Sequence, residues 1–162
     1  LNNLNNTGNA ASYNPVISGD GNYVAFVSSS NNLVSRDTNS AGGTGTGFST
    51  DIFLWERATR TTTLVSRNRT NTDSGAGDSL YPTISRDGKT VAFNSLAWNM
   101  ITGRDLFRSN AYAYTWTTDF RTGAVELVSQ ANNGQEGNNP SASQYPPIVS
   151  ANGRYVVFAS LA

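Results

Sequence analysis

The chain has no cysteine and no histidine among its 162 residues, and only eleven basic and eleven acidic side chains. The missing cysteines and histidines exclude disulfide frameworks, Cys/His zinc sites, haem attachment, thiol nucleophiles and any Ser-His-Asp triad. Charge is scarce at 14%, well under the roughly 25% usual for soluble domains, and it balances to zero. A chain so balanced offers no electrostatic case for nucleic acid or an anionic membrane. No apolar run approaches the eighteen or so residues of a membrane span, and no basic segment leads into a signal-like core. The sequence opens on Leu1 and reads as a mature or excised segment of a longer protein.

What fills the space is small and polar. Asn, Ser, Thr and Gly supply 72 of the 162 residues, and ten of the eleven cations are Arg, with Lys89 the exception. This composition suits an extracellular, cell-surface or periplasmic bacterial protein. The length fits one domain with a sizeable core.

The informative feature is self-similarity at long period. Pro15-Val16-Ile17-Ser18-Gly19-Asp20-Gly21 runs into Tyr23-Val24-Ala25-Phe26-Val27-Ser28. Pro82-Thr83-Ile84-Ser85-Arg86-Asp87-Gly88 runs into Val91-Ala92-Phe93-Asn94-Ser95, and Pro147-Ile148-Val149-Ser150-Ala151-Asn152-Gly153 into Tyr155-Val156-Val157-Phe158. The three prolines are offset by 67 and 65 residues. A second unit lies between: Asp51-Ile52-Phe53-Leu54-Trp55-Glu56 leads to Thr63-Leu64-Val65-Ser66. Tyr114-Thr115-Trp116 leads to Glu126-Leu127-Val128-Ser129 at an offset of 63. That offset aligns Trp116 with Phe53.

Each piece reads as β. The segments are rich in β-branched and aromatic residues without helical period, and Asp-Gly or Asn-Gly marks a hairpin turn between them. Strands are expected near 16–18, 23–29, 51–56 and 62–67, repeating from 82 and again from 147. One repeat is then a four-stranded antiparallel meander, and such units in series are the signature of a β-propeller. Both faces of Val24–Val27 are apolar, as a strand held between two neighbouring blades requires. We read residues 1–13 as a lead-in loop, 14–80 as blade 1, 81–144 as blade 2 and 145–162 as the first half of blade 3. The fold class is all-β, about two and a half propeller blades of a larger propeller, with the outer face of the first blade left bare at Tyr23 and Phe26.

The phrase Ile-Ser-x-Asp-Gly-x-x-Val-Ala-Phe, followed by Asp-Ile-Phe-Leu-Trp-Glu and Thr-Thr-Thr-Leu-Val-Ser, resembles the TolB-type, WD-like β-propeller repeat of bacterial secreted and periplasmic proteins. The resemblance runs from Asn14 to Ala162. It implies strands ordered from a central channel outward, and roles as interaction platforms, as peptidase gating domains, or as repeats on surface proteins.

Three sets of side chains are candidates for chemistry. Asp37, Asn39 and Asp51 bracket a Gly-rich loop with hard oxygen ligands of the kind calcium prefers. The resemblance matches them to an Asp-Thr-Asn-Gly loop ahead of an Asp-initiated strand. In the second repeat Tyr114 replaces the last Asp and Asp105 remains. The competing reading is a solvated loop whose Asp and Asn cap turns. Apart from calcium there, no cofactor is expected. Asp20, Asp87 and Asn152 repeat once per blade before Gly, which points to turn chemistry rather than acid–base work. Among Trp98, Tyr112, Tyr114, Trp116 and Phe120, Trp98 and Tyr112 fall in an expected loop and are the candidates for glycan contact. Trp116 is read as inter-blade core.

The function expected is a non-catalytic extracellular or surface propeller module for structural assembly or for protein or glycan binding. Partners are proteins, or copies of itself through exposed blade edges, and glycans, with no nucleic acid and no membrane span. The alternative is the propeller domain of a secreted hydrolase.

Overall fold

The structure is a computed structural model that describes residues 7–38, 49–104, 106, 108–116, 120–143 and 145–162. It is all-β and built of antiparallel blades. Strands β1 (Ser12–Ile17), β2 (Tyr23–Ser28), β3 (Asp51–Glu56) and β4 (Thr61–Leu64) form one four-stranded sheet in chain order. Strands β5 (Ser79–Ile84), β6 (Thr90–Ser95), β7 (Asn110–Thr115) and β8 (Ala124–Leu127) form a second, and β9 (Ile148–Val149) pairs with β10 (Val156–Val157). A single 3-10 turn at Phe120–Thr122 is the only helical element among the described residues. The first strand begins at Ser12, inside the segment read as lead-in, because the Ser12 hydroxyl bonds that of Ser28 at 2.9 Å. Ser79–Ser95 and Ser141–Ser160 repeat the pair at 2.8 and 2.9 Å.

The repeated turn is a local hydrogen-bond unit. The Ser18 hydroxyl donates to Asp20 Oδ1 (2.6 Å) and accepts from the Tyr23 amide (3.0 Å), while Asp20 Oδ1 accepts from the Asn22 amide (3.0 Å). Ser85, Asp87, Lys89 and Thr90 make the same set at 2.7, 3.1 and 3.0 Å. Ser150, Asn152, Arg154 and Tyr155 make it again at 2.8, 3.2 and 3.0 Å. An amide oxygen serves at 152 as well as a carboxylate does at 20 and 87, so the unit needs an acceptor and no charge. The turns also interlock. The Gly19 amide donates to the Arg86 carbonyl and the Arg86 amide to the Ala151 carbonyl, each at 2.9 Å, so each blade docks on the next at an equivalent residue.

The inner strands β1 and β5 share an irregularity. Their ladders skip between Tyr13 and Val16 and between Leu80 and Thr83, around Pro15 and Pro82. A residue without an N–H is tolerated where the ladder is broken. The residues before the prolines, Asn14 and Tyr81, take left-handed φ of 49° and 57°.

The main core lies between the blades. Ala25, Val27, Ile52 and Leu54 from blade 1 join Val91, Phe93, Tyr112 and Tyr114 from blade 2 in one buried cluster. The expectation that Tyr23 and Phe26 lie bare is corrected. Tyr23 meets Trp116 edge-on at 5.1 Å, and Phe26 stacks on Phe53 at 5.7 Å in a second cluster with Leu33, Val34 and Leu64. The segment after β2 folds back and supplies the Leu33 and Val34 cover.

Two turn glycines test this seating. Gly21 and Gly88 have nearly the same left-handed φ, 71° and 74°, but a Cβ on Gly21 meets nothing within 4 Å whereas one on Gly88 would sit 2.3 Å from Tyr23 Cδ2. Gly21→Ala is expected to cost about 1–2 kcal/mol from backbone strain alone. Gly88→Ala should cost at least ~1 kcal/mol more, because it also overpacks the Tyr23 ring. Equal midpoint shifts in urea denaturation would show that Tyr23 is not wedged between the blades.

Candidate functional site

The sequence-derived sites meet different fates. Asp51 is buried at the start of β3, where its Oδ1 accepts the Ser66 hydroxyl at 2.6 Å while Ser66 Oγ accepts the Ile52 amide at 2.9 Å. Blade 2 repeats this with Asn110: Ser129 Oγ donates to Asn110 Oδ1 at 2.8 Å and accepts the Ala111 amide at 3.1 Å. Asn110, not Tyr114, therefore stands where Asp51 does, and a neutral amide does the same work. Asp37 accepts instead from Ser74 Oγ at 3.2 Å. Asn39, Asp105 and the Phe120 side chain lie outside the described residues. Among the described residues no group of three or more His, Cys, Asp or Glu side chains is placed to hold a metal ion, and Asn39 of the expected calcium set lies outside them.

Tyr112 is corrected outright. It lies within β7, not in a loop, is 0% exposed and stacks on Phe93 at 5.7 Å. This copies the Phe26–Phe53 stack, so Tyr112 is the counterpart of Phe53. Burial, and then the nearby Glu136 charge, push its phenol up from the ordinary value. Trp116 lies just past β7 and is buried, as an inter-blade residue should be, with its indole N–H donating to the Gly88 carbonyl at 3.1 Å. Trp98 is 38% exposed, beside the exposed Leu96.

Asp37 lies beside Asp73. Burial, opposed by the Ser74 hydrogen bond and reinforced by the Asp73 charge, pushes Asp37 up to about 6. Asp73 is partly buried, which works against its charge. Donors from Thr38 and Ser74 outweigh that and hold it below the ordinary carboxylate value: the two backbone amides reach Oδ1 at 2.8 Å each, and the Thr38 hydroxyl reaches Oδ2. Because Asp37 is raised on folding, its protonation stabilises the fold fully below the unfolded value of 3.8, and that contribution is lost as pH rises through about 6. Asp37→Asn keeps an acceptor for Ser74 without the buried charge. Above pH 7 it should be more stable than the parent by up to roughly 3 kcal/mol. The difference should vanish below about pH 4, where the parent carboxyl is also neutral. Thermal melts of both proteins from pH 3 to 8 check this; a constant difference would contradict it.

The residue the sequence reading missed is Arg67. It follows β4 and is 8% exposed. Its Nη1 donates to Asn71 Oδ1 (2.8 Å) and to the Arg121 carbonyl (3.1 Å), and its Nη2 to Tyr114 Oη (2.7 Å) and the Gly123 carbonyl (2.6 Å). The guanidinium carbon also lies 4.9 Å from the Tyr114 ring centre. Three of the four acceptors belong to blade 2, so Arg67 bolts the outer parts of the two blades together. It forms part of the wall of a cleft of about 210 Å³, alongside Arg36, Arg121, Thr62, Thr63, Asn71 and Asp73. Arg36 donates to the Asn71 carbonyl at 3.0 Å. Nothing in the local sequence marks Arg67, because its blade 2 partners lie 47 to 56 residues further along.

No family model matches the chain, and no curated protein matches it. Among solved structures, TolB from Acinetobacter baumannii is similar over 93% of this chain, with a TM-score of 0.47 and 17% identity. The chain spans about a quarter of that protein's length, 26%.

Proposed function

We propose that the chain is a non-catalytic propeller module, extracellular, cell-surface or periplasmic, that serves structural assembly or protein or glycan binding. The observation that carries this reading is the edge of β10. In blades 1 and 2 the second strand is paired on both sides, with six-residue registers to β3 and β7. Among the described residues β10 pairs with β9 alone, and Tyr155 and Val157 are 64% and 70% exposed. An unpaired strand edge with exposed apolar side chains is a template for another strand. The strand that completes it belongs to the rest of the same protein, to a protein partner or to a second copy of the chain.

The fate of the carboxylates supports a non-catalytic role. Asp20, Asp51, Asp73, Asp78, Asp87, Glu56 and Glu136 each accept hydrogen bonds from neighbouring loops or strand ends. Trp98, half-exposed, is the residue we assign to glycan contact. No helix among the described residues is long and apolar enough to cross a membrane.

Sedimentation equilibrium tests the assembly reading. The chain should associate with rising concentration, and Val157→Glu should weaken that association. A parent that stays monomeric at all concentrations, and binds no protein or glycan probe, defeats the proposal. A glycan or peptide turned over by the chain, with turnover lost on one Asp→Asn change, would replace it with the hydrolase alternative.

A further inference from the structure

The Arg67 cleft carries a site that the assembly reading does not use. Arg67 spends its four terminal N–H groups on two backbone carbonyls, a phenol and an amide oxygen. All four acceptors are neutral. A buried guanidinium without a counter-charge is costly, and an anion brought beside it relieves that cost. Among the described residues Asp73 is the one carboxylate on the cleft wall, with Asp37 buried beside it, and the Asp73 oxygens are already engaged by Thr38 and Ser74. Arg36 and Arg121 stand on the same wall, both exposed. Among the described residues neither Arg36 nor Arg67 is paired with a carboxylate. The chain as a whole is neutral, so the gathering of Arg36, Arg67 and Arg121 is a local arrangement rather than a basic surface.

We propose that this cleft binds an oxyanion: a sulfate, phosphate or carboxylate group, free or carried on a sugar. Arg36 and Arg121 make the contacts, as planar forks suited to oxyanions. Arg67 supplies charge from behind while it holds the blades together. The hydroxyls of Ser35 and Thr63, also at the cleft, suit the remaining oxygens of such a group.

The test titrates the full 162-residue chain with sulfate, phosphate, acetate and glucuronate, each against sodium chloride at matched ionic strength. Two-dimensional NMR follows the amides of residues 35–36, 62–64 and 121. Saturable shifts confined to these residues are expected, with Kd in the millimolar range. Preference among the four probes separates a free inorganic ion from a sugar-borne carboxylate. Arg36→Gln and Arg121→Gln, both at exposed positions, should each weaken binding at least fivefold. Arg154→Gln, an exposed arginine of the third blade, should leave it unchanged. Shifts that do not saturate, that chloride reproduces, or that survive the Arg36→Gln/Arg121→Gln double variant would falsify the site and leave Arg67 a purely structural strut.

Discussion

Replacing Arg67 by Ala is expected to destabilise the chain by about 3–5 kcal/mol, a large effect for a single polar substitution. The side chain makes four hydrogen bonds from a charged donor, and such bonds contribute about 1.5–3 kcal/mol each before non-additivity. Truncation also leaves the Arg121 and Gly123 carbonyls without this donor at a partly buried place, and removes the contact with the Tyr114 ring. Arg67→Lys should recover only part of the loss. An ammonium on a flexible stem keeps the charge but cannot span four acceptors arranged for a planar fork. Urea denaturation of the three proteins checks the order Arg, Lys, Ala. A Lys variant as stable as the parent would mean that charge alone matters at this position. The damage should also be uneven, with hydrogen exchange rising first where blade 2 meets Arg67.

Tyr112→Ala should cost about 3–5 kcal/mol, whereas Trp98→Ala should cost clearly less, about 1–2 kcal/mol. The two residues carry the same expectation when the sequence is read alone, and only their burial separates them. Tyr112 stacks on its cross-strand partner Phe93 inside the main core, so its removal leaves a cavity there. Trp98 is more than a third exposed, so its loss removes a smaller fraction of buried side chain and opens no cavity in the main core. Tyr112→Phe isolates the hydroxyl, whose bond to the Ala97 carbonyl is long at 3.4 Å, and should cost about 1 kcal/mol or less. If Trp98 proves the more destabilising of the pair, the β7 register is wrong. Glycan binding should separate them in the opposite sense, with Trp98→Ala losing contact that a folded Tyr112→Phe retains.

The second blade shows how far a repeat can be read. Blade 1 and blade 2 share nine of the fourteen letters of their first hairpin, Pro15–Ser28 and Pro82–Ser95, and β5 and β6 lie where the spacing puts them. The third strand does not share its letters: Asp51-Ile52-Phe53-Leu54 answers to Asn110-Ala111-Tyr112-Ala113. Aligning on the Trp and Thr residues instead moves the strand to 114, which turns Tyr112 into a loop residue. A one-letter likeness is weak guidance in this strand, because Asn can replace Asp as acceptor and Tyr can replace Phe as a stacking ring. Pairing register is what identifies the strand, and a strand of changed composition carries no mark of its partner.

The sequence alone determined whatever is closed within a few residues. Ser18, Asp20, Gly21 and Tyr23 complete their hydrogen-bond unit inside six positions, so its recurrence at 85–90 and 150–155 could be recognised without knowing the neighbours. Turn, hairpin and four-strand order follow from that local chemistry and from apolar patterning. Tertiary structure decided everything whose partners lie a blade away. Asp37 is an ordinary loop residue until burial, and then the charge of Asp73 more than thirty positions on, raise its proton affinity against the opposing Ser74 hydrogen bond. Arg67 is one of ten arginines until blade 2 brings Tyr114, Arg121 and Gly123 around it. The physical reason is the same in both cases. Local hydrogen bonding depends on covalent spacing, which the sequence states directly, whereas burial and charge environment depend on which surfaces meet after the blades stack.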